Sequence, residues 1–296
     1  MREFRILPFA ALCALPLSAL AGGGSIDRKV NADPNGAVVI SNVSGRVDVH
    51  GWDRNEVQVT GSTEEGVERV DVESSGGRTS IKVVLPHGNS RDGDADLTIQ
   101  VPRMSSVEVG AVSADVFSHG VSGTQRLKTV SGEIKAEVAA DDSEIRSVSG
   151  DVTVRGSGKP ISLRMSSVSG SLGLTDGAGK LDLVTVSGDA RVEMAEASEV
   201  RGRTTSGDLD LRAKLTRDGR VDVEAVSGDL RLRLPAPSAL STEIESFSGE
   251  ITGCLATNVE KVSKYGPGVR LNLRTVEEGP RVRAKTLSGD IEICDK

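Results

Sequence analysis

Apolar and polar residues alternate with a period of two along short runs of this chain, and the runs recur. A motif of the form Val-Ser-Gly-Asp-Val-x-Val places serines at Ser131, Ser149, Ser169, Ser187, Ser206, Ser227, Ser248 and Ser288, with a variant at Ser113. From Ser113 onward the spacings are 18, 18, 20, 18, 19, 21, 21 and 40 residues. Three residues after each main-copy serine stand Ile134, Val152, Leu172, Ala190, Leu209, Leu230, Ile251 and Ile291. Two further on come Ala136, Val154, Leu174, Val192, Leu211, Leu232, Gly253 and Ile293. The residue between is mostly polar, as in Lys135, Arg191 and Glu292, which is the pattern of a half-buried strand and not of a helix.

A period near 20 residues marks a repeat whose single coil cannot bury its own apolar face, so that stacking neighbours must complete the core. The prediction is an all-β chain with a single-stranded parallel β-helix, a solenoid, over residues 111–296. Equivalent strands of successive coils then pair at about 4.8 Å. The residue before each serine (Val130, Val148, Val168, Val186, Thr205, Val226, Phe247, Leu287) is expected to extend the interior stack. One position earlier, Thr129, Ser147, Ser167, Thr185, Thr204, Ser246 and Thr286 form a hydroxyl column that Ala225 interrupts. Corners are predicted at Ser131-Gly132, Ser149-Gly150-Asp151, Ser187-Gly188-Asp189, Ser206-Gly207-Asp208, Ser227-Gly228-Asp229 and Ser288-Gly289-Asp290. Glycine there would supply positive φ, and Ser and Asp would bond backbone amides.

Residues 37–110 differ in texture. Short β runs such as Val38-Val39-Ile40, Val57-Gln58-Val59 and Leu97-Thr98-Ile99-Gln100-Val101 are separated by Gly, Asn and Asp, which predicts an irregular β-rich cap shielding the open edge of the first coil. Residues 22–36 read as an N-terminal linker. Residues 1–21 carry Arg2 and Arg5, an apolar run from Ile6 to Leu20 and the small-x-small Ala19-Leu20-Ala21, the pattern of a cleaved signal peptide. Pro8 and Pro16 interrupt that run, which falls short of the roughly 20 residues of a membrane span. Later runs are less apolar, so no transmembrane segment is expected after cleavage. The destination expected is the periplasm, the cell surface or the medium.

Composition narrows the partners. Aromatics make up 2% of the 296 residues and charged residues 27%, which argues against both a helical bundle and disorder. With 36 basic against 43 acidic residues there is no basic face for nucleic acid or anionic lipid.

Four kinds of chemistry come into question. The column two after each serine holds Glu133, Asp151, Asp189, Asp208, Asp229, Glu250 and Asp290, with Ser171 neutral. Either each acid caps corner amides, the expected role, or the column is a cation ladder, since hard divalent ions want several oxygens together. Asp92-Gly93-Asp94-Ala95-Asp96 opens like a calcium loop, but Leu97 and Arg103 stand where Gly and Glu are needed. A serine nucleophile needs a base, and His50, His87 and His119 all lie in or near the cap, away from the later coils. Sugar clefts use aromatic platforms, for which Trp52, Phe117, Phe247 and Tyr265 are a scattered supply. No catalytic, cofactor-binding or metal-binding residue is therefore expected.

After signal cleavage two cysteines remain, Cys254 and Cys294, each six residues after its serine, in a setting that favours a disulfide. Two full coils in the 40-residue interval would hold them nearly 10 Å apart. One coil with a looped-out excursion around residues 263–268 would let them bridge, and a structural disulfide is the expected outcome.

The order Val38-Val39-Ile40-Ser41-Asn42-Val43-Ser44-Gly45, then Gly51-Trp52-Asp53, then serial Val-Ser-Gly-Asp copies ending in Thr286-Leu287-Ser288-Gly289-Asp290-Ile291, resembles the bacterial putative-adhesin β-strand-repeat family of exported domains of unknown function. The resemblance covers roughly residues 37–293. It implies a β-helix and adhesion, and brings no catalytic residues. Together these readings predict an exported, non-enzymatic adhesin, envelope-binding or scaffold protein acting on an envelope or surface component. The alternative is a polysaccharide-binding or polysaccharide-degrading β-helix.

Overall fold

The computed structural model describes residues 24–86, 93–235, 240–256, 258–262, 267–274 and 279–294. The signal-peptide reading of residues 1–21 lies outside them. Among the described residues every regular element is a β-strand, and the coils pair in parallel. The register follows the repeat, with Ser147 opposite Thr129 and Val152 opposite Ile134.

Each coil contributes one stretch of strand before its Ser-Gly corner and one after it, giving two walls. Leu127, Ile145, Met165 and Leu183 point inward from the first wall, and Ile134, Val154, Leu172 and Leu211 from the second, all at most 3% exposed. The period of two puts these residues on one face of each wall, and stacking turns them into continuous apolar ladders.

The order of coils in space is not their order in the chain, which departs from a plain β-helix at both ends. Arg281–Ser288 does not follow Ser241–Ser248 outward. It inserts between Leu209–Ser227 and Ser241–Ser248, pairing in parallel with both, so that Ser288 lies opposite Ser227 on one side and Ser248 on the other. At the other end Ala37–Trp52 is inserted in the same way. It pairs in parallel with Ser106–His119 on one side, and on the other with Arg78–Val84 and Ala95–Pro102. The outermost coils are therefore made from internal stretches of sequence.

Antiparallel strands close both ends. Val269–Arg274 covers Ser241–Ser248 and is flanked by Val259–Lys261. Arg69–Ser75 covers Arg78–Val84, Glu56–Thr63 covers Ala95–Pro102, and Ser25–Asn31 lies outside Glu56–Thr63. These strands occupy ladder edges that would otherwise template pairing with another chain. The stretch read as a linker thus contains a strand, and the cap shares its ladders with the repeats, because Ser106–His119 runs across the expected boundary at residue 110.

Two expectations about the corner need correction. The interior column is the hydroxyl one. Thr129, Ser147, Ser167, Thr185, Thr204, Ser246 and Thr286 are each at most 5% exposed, whereas Val130, Val148, Val168, Val186, Val226, Phe247 and Leu287 point outward at 41–57%. Alternation does not continue through the corner: Thr129 and Ile134 both face inward although their positions differ by five, an odd number, so the turn inverts the parity. Small side chains fit the inside of the bend, and four of the seven hydroxyls (Thr129, Ser147, Thr204 and Ser246) also bond its backbone, whereas those of Ser167, Thr185 and Thr286 have no hydrogen-bond partner among the described residues. Ser147 Oγ accepts from the Gly150 N–H at 2.8 Å, and Ser246 Oγ donates to the Gly289 carbonyl at 2.9 Å.

Glycine is also required for a different reason. Gly132, Gly150 and Gly170 are not among the positive-φ residues, although Gly207, Gly228 and Gly289 are. What all share is proximity to the backbone of the adjoining coil's corner. A Cβ on Gly150 would stand 1.9 Å from the Gly132 carbonyl oxygen, and one on Gly207 2.4 Å from that of Gly188. The corners stack backbone on backbone, with no room for a side chain between them.

Candidate functional site

The inversion of parity at each corner leaves an apolar column on the outside of the stack. In spatial order it runs Val112, Val130, Val148, Val168, Val186, Thr205, Val226, Leu287, Phe247, with adjacent members set by the in-register pairing of the residues beside them. Thr205 is the one polar member of these nine, and the apolar members are 41–57% exposed. Single exposed apolar side chains are ordinary. A contiguous line of them, one per coil over about 40 Å, is a feature that marks interaction surfaces. Beside it lies the exposed column of corner serines, Ser131 to Ser288, so the edge of the stack carries a neutral strip two residues wide.

Toward the C-terminal end the strip runs into an open groove of about 650 Å³, whose lining includes Val186, Thr205, Val226, Leu287 and Phe247 of the strip together with Val262 and Pro267. Charged groups on its rim are paired with each other. Lys285 lies 2.9 Å from Glu245, Arg270 also contacts Glu245, and Arg203 is 3.8 Å from Glu224. The hydrogen bond from Lys285, reinforced by the charges of Lys285 and Arg270, holds the Glu245 carboxyl below the usual carboxylate range.

The aspartates of the acidic column next to the corners act as caps, while the Glu133 carboxylate instead accepts from Lys135 at 2.8 Å. Asp151 Oδ1 accepts from the Ser171 N–H at 2.8 Å, and Asp189 from Asp208, Asp208 from Asp229 and Asp229 from Asp290, each at 2.9 Å. Asp290 completes the run by accepting from the Glu250 N–H at 2.8 Å. Each carboxylate thereby satisfies the amide of the equivalent residue in the adjoining coil, through the inserted coil as well. Charge-assisted bonds of this kind outweigh the repulsion of carboxylates spaced a coil apart in water. Asp208→Ala should therefore lower stability by about 1–2 kcal/mol, and Asp208→Asn, which keeps the acceptor, by less. Denaturant melts of the two variants check this, and equal losses would show that the acceptor is not what matters.

Cys254 and Cys294 are joined by a disulfide with their Cα atoms 5.7 Å apart. The bridge ties the outermost C-terminal coil to the inserted one, since Ile251 lies opposite Ile291. His50 and His119 sit in register on neighbouring strands with rings stacked at 5.8 Å, His50 beside Asp48 at 3.0 Å. His87, Asp92 and Tyr265 lie outside the described residues. Asp94 accepts from the Ser44 hydroxyl, so it is engaged within the cap. Among the described residues no three His, Cys, Asp or Glu side chains are grouped to hold a metal ion, and no helix is long and apolar enough to cross a membrane. The structure brings the corner serines, glycines and acids together as a scaffold. What sequence reasoning missed was the outward column, although its valines were visible in most of the repeats.

Stacked all-β coils with an apolar strip along one edge define a repeat protein of solenoid type. The family follows from the sequence: residues 29–294 match the family model Toastrack DUF4097, and the chain belongs to that family. Similar solved structures include a putative adhesin from Bacteroides fragilis at 11% identity, covering 91% of this chain and 97% of that one with a TM-score of 0.44. Another is a putative adhesin from Parabacteroides merdae, at 11% identity, 91% and 96% coverage and a TM-score of 0.36. A third, from Parabacteroides distasonis, is a putative lipid binding protein, at 11% identity, 91% and 96% coverage and a TM-score of 0.38. Comparison with curated proteins gave no match.

Proposed function

We propose that this chain is an exported, non-enzymatic binding or scaffold protein of the bacterial envelope, a single-stranded parallel β-helix at its core, and that the apolar strip is its contact surface. The observation that carries this reading is the outward column from Val112 to Phe247, kept apolar in eight of nine positions although it faces solvent. A residue exposed in every coil is free to be polar, so its repeated apolar character calls for a contact. Export is supported by the pattern of residues 1–21 and by the disulfide, which persists in oxidising compartments. The unknown component it contacts is a surface or envelope constituent and not nucleic acid, given the acidic balance of the chain.

The test is site-specific photo-crosslinking in intact cells. A photoreactive residue at position 148, on the strip, should give discrete adducts in the envelope fraction. The same residue at Thr153, exposed on the other wall, should give few. Equal yields at the two positions, or recovery of the protein only from the cytosol, would overturn the proposal. New reducing ends or unsaturated products on incubation with acidic polysaccharides would replace it with the polysaccharide-acting alternative.

A further inference from the structure

We infer, taking the strip to be the contact surface proposed above, that its partner is a second copy of this chain, packed antiparallel with strip against strip about a two-fold axis beside Val186.

Periodicity is the first argument. The strip repeats at the spacing of the coils, about 4.8 Å, and a surface that meets every rung must carry the same repeat. A second copy does so by construction, and a two-fold axis makes the patch self-complementary.

Size agrees. Eight half-exposed apolar side chains and the serine column beside them amount to roughly 800 Å² per copy, the area each partner of a standard stable interface buries. The strip is also cheap to bury, because it carries no charge. Its valines are stiff at χ1 and its serines short, so little side-chain freedom is lost on contact.

Side-chain volume fixes the direction. One end of the column holds valines, Val112 and Val130, and the other holds its largest members, Leu287 and Phe247. Packed parallel, Phe247 would meet Phe247 and Val112 would meet Val112, leaving the interface too thick at one end and gapped at the other. Packed antiparallel, Phe247 meets Val112, Leu287 meets Val130 and Val148 meets Val226, so that the large side chains of one copy face the small ones of the other.

The test uses the full mature protein in sedimentation equilibrium from about 1 to about 100 µM, where an interface of this size populates a dimer. Val148→Asp combined with Val226→Asp places carboxylates opposite each other twice per dimer and should weaken association at least ~100-fold. Val148→Asp combined with Val226→Lys introduces as many charges but sets Asp against Lys across the antiparallel contact, and should recover most of that loss. Thermal melts of both variants confirm that the fold is kept, as substitutions at exposed positions permit. A monomer throughout the range would overturn the inference, and so would a dimer that the Asp/Asp variant leaves intact. An Asp/Lys variant no better than Asp/Asp would also overturn it, because position 148 would then not face position 226. A monomer that still crosslinks through position 148 to another envelope component would overturn self-pairing and leave the strip's contact role standing.

Discussion

Gly150→Ala is expected to cost about 3 kcal/mol, at the upper end of what overpacking a well-filled site costs. The added methyl would stand 1.9 Å from the Gly132 carbonyl oxygen and 2.6 Å from its carbon. Both are backbone atoms of a corner held by its own neighbours, so no flexible side chain can move aside. The coils can accommodate the methyl only by separating at the corner. Separation stretches the Ser149 N–H bond to the Val130 carbonyl, now 2.8 Å, and disturbs the bond that the Gly150 amide donates to Ser147. Because Gly150 lacks positive φ, the loss isolates close stacking from backbone strain. Gly110→Ala is the control: nothing lies within 4 Å of a Cβ there, and alanine is the better strand residue, so its effect should stay within about 0.5 kcal/mol of zero. Denaturant midpoints of the two variants decide the matter. Equal stabilities would mean that the corner is slack and that its glycines serve something other than packing.

Removing the disulfide, by reduction or by Cys254→Ser with Cys294→Ser, should destabilise the C-terminal end by up to about 4 kcal/mol. That is the loop-closure entropy of a 40-residue span. The loss should be local. The bridge ties Ser241–Thr252 to Arg281–Ile293, while the middle of the stack keeps its ladders without it. Repeat arrays lose cooperativity when one interface weakens, so the end should open before the rest. Amide exchange would show this as lost protection at Ile244 and at Ala284, which lies opposite it, with Leu127 and Ile145 unchanged. A uniform loss along the chain would mean that the stack melts as one unit and that the bridge is not a local staple.

Much of this architecture was legible in the sequence. The inward positions Ile134, Val152 and Leu172 followed from alternation, the corners from Ser-Gly-Asp and the disulfide from two cysteines in one repeat position. The outward column was not, because alternation was carried through a corner that inverts it. Val130 looks interior when counted back from Ile134 and exterior when counted on from Leu127. The insertion of Arg281–Ser288 was hidden for another reason. A 40-residue gap fixes how much chain intervenes, not on which side of Ser241–Ser248 the last coil is placed. Ser25–Asn31 carries mostly exposed positions and pairs only at the antiparallel rim, so it lacks the apolar signature of a buried strand. The candidate surface was the least legible part, since the same valines serve equally well as a core column until the parity of the turn is known.

The inserted end coils change how the stack can be taken apart. In a solenoid built in chain order, the terminal coil has one neighbour, and pulling on the tail peels coils off singly. Here the C-terminal coil is gripped from both sides, by Leu209–Ser227 and Ser241–Ser248, so drawing it out must break two ladders at once. Ala37–Trp52 is gripped likewise near the other end. A tug on the C-terminal tail is resisted in shear by a filled slot, and one on the N-terminal tail meets the same resistance once Ser25–Asn31 has been peeled from the rim. The same arrangement makes assembly answer to completeness: a chain stopped short of residue 281 would leave that slot vacant, with open edges on both of its walls.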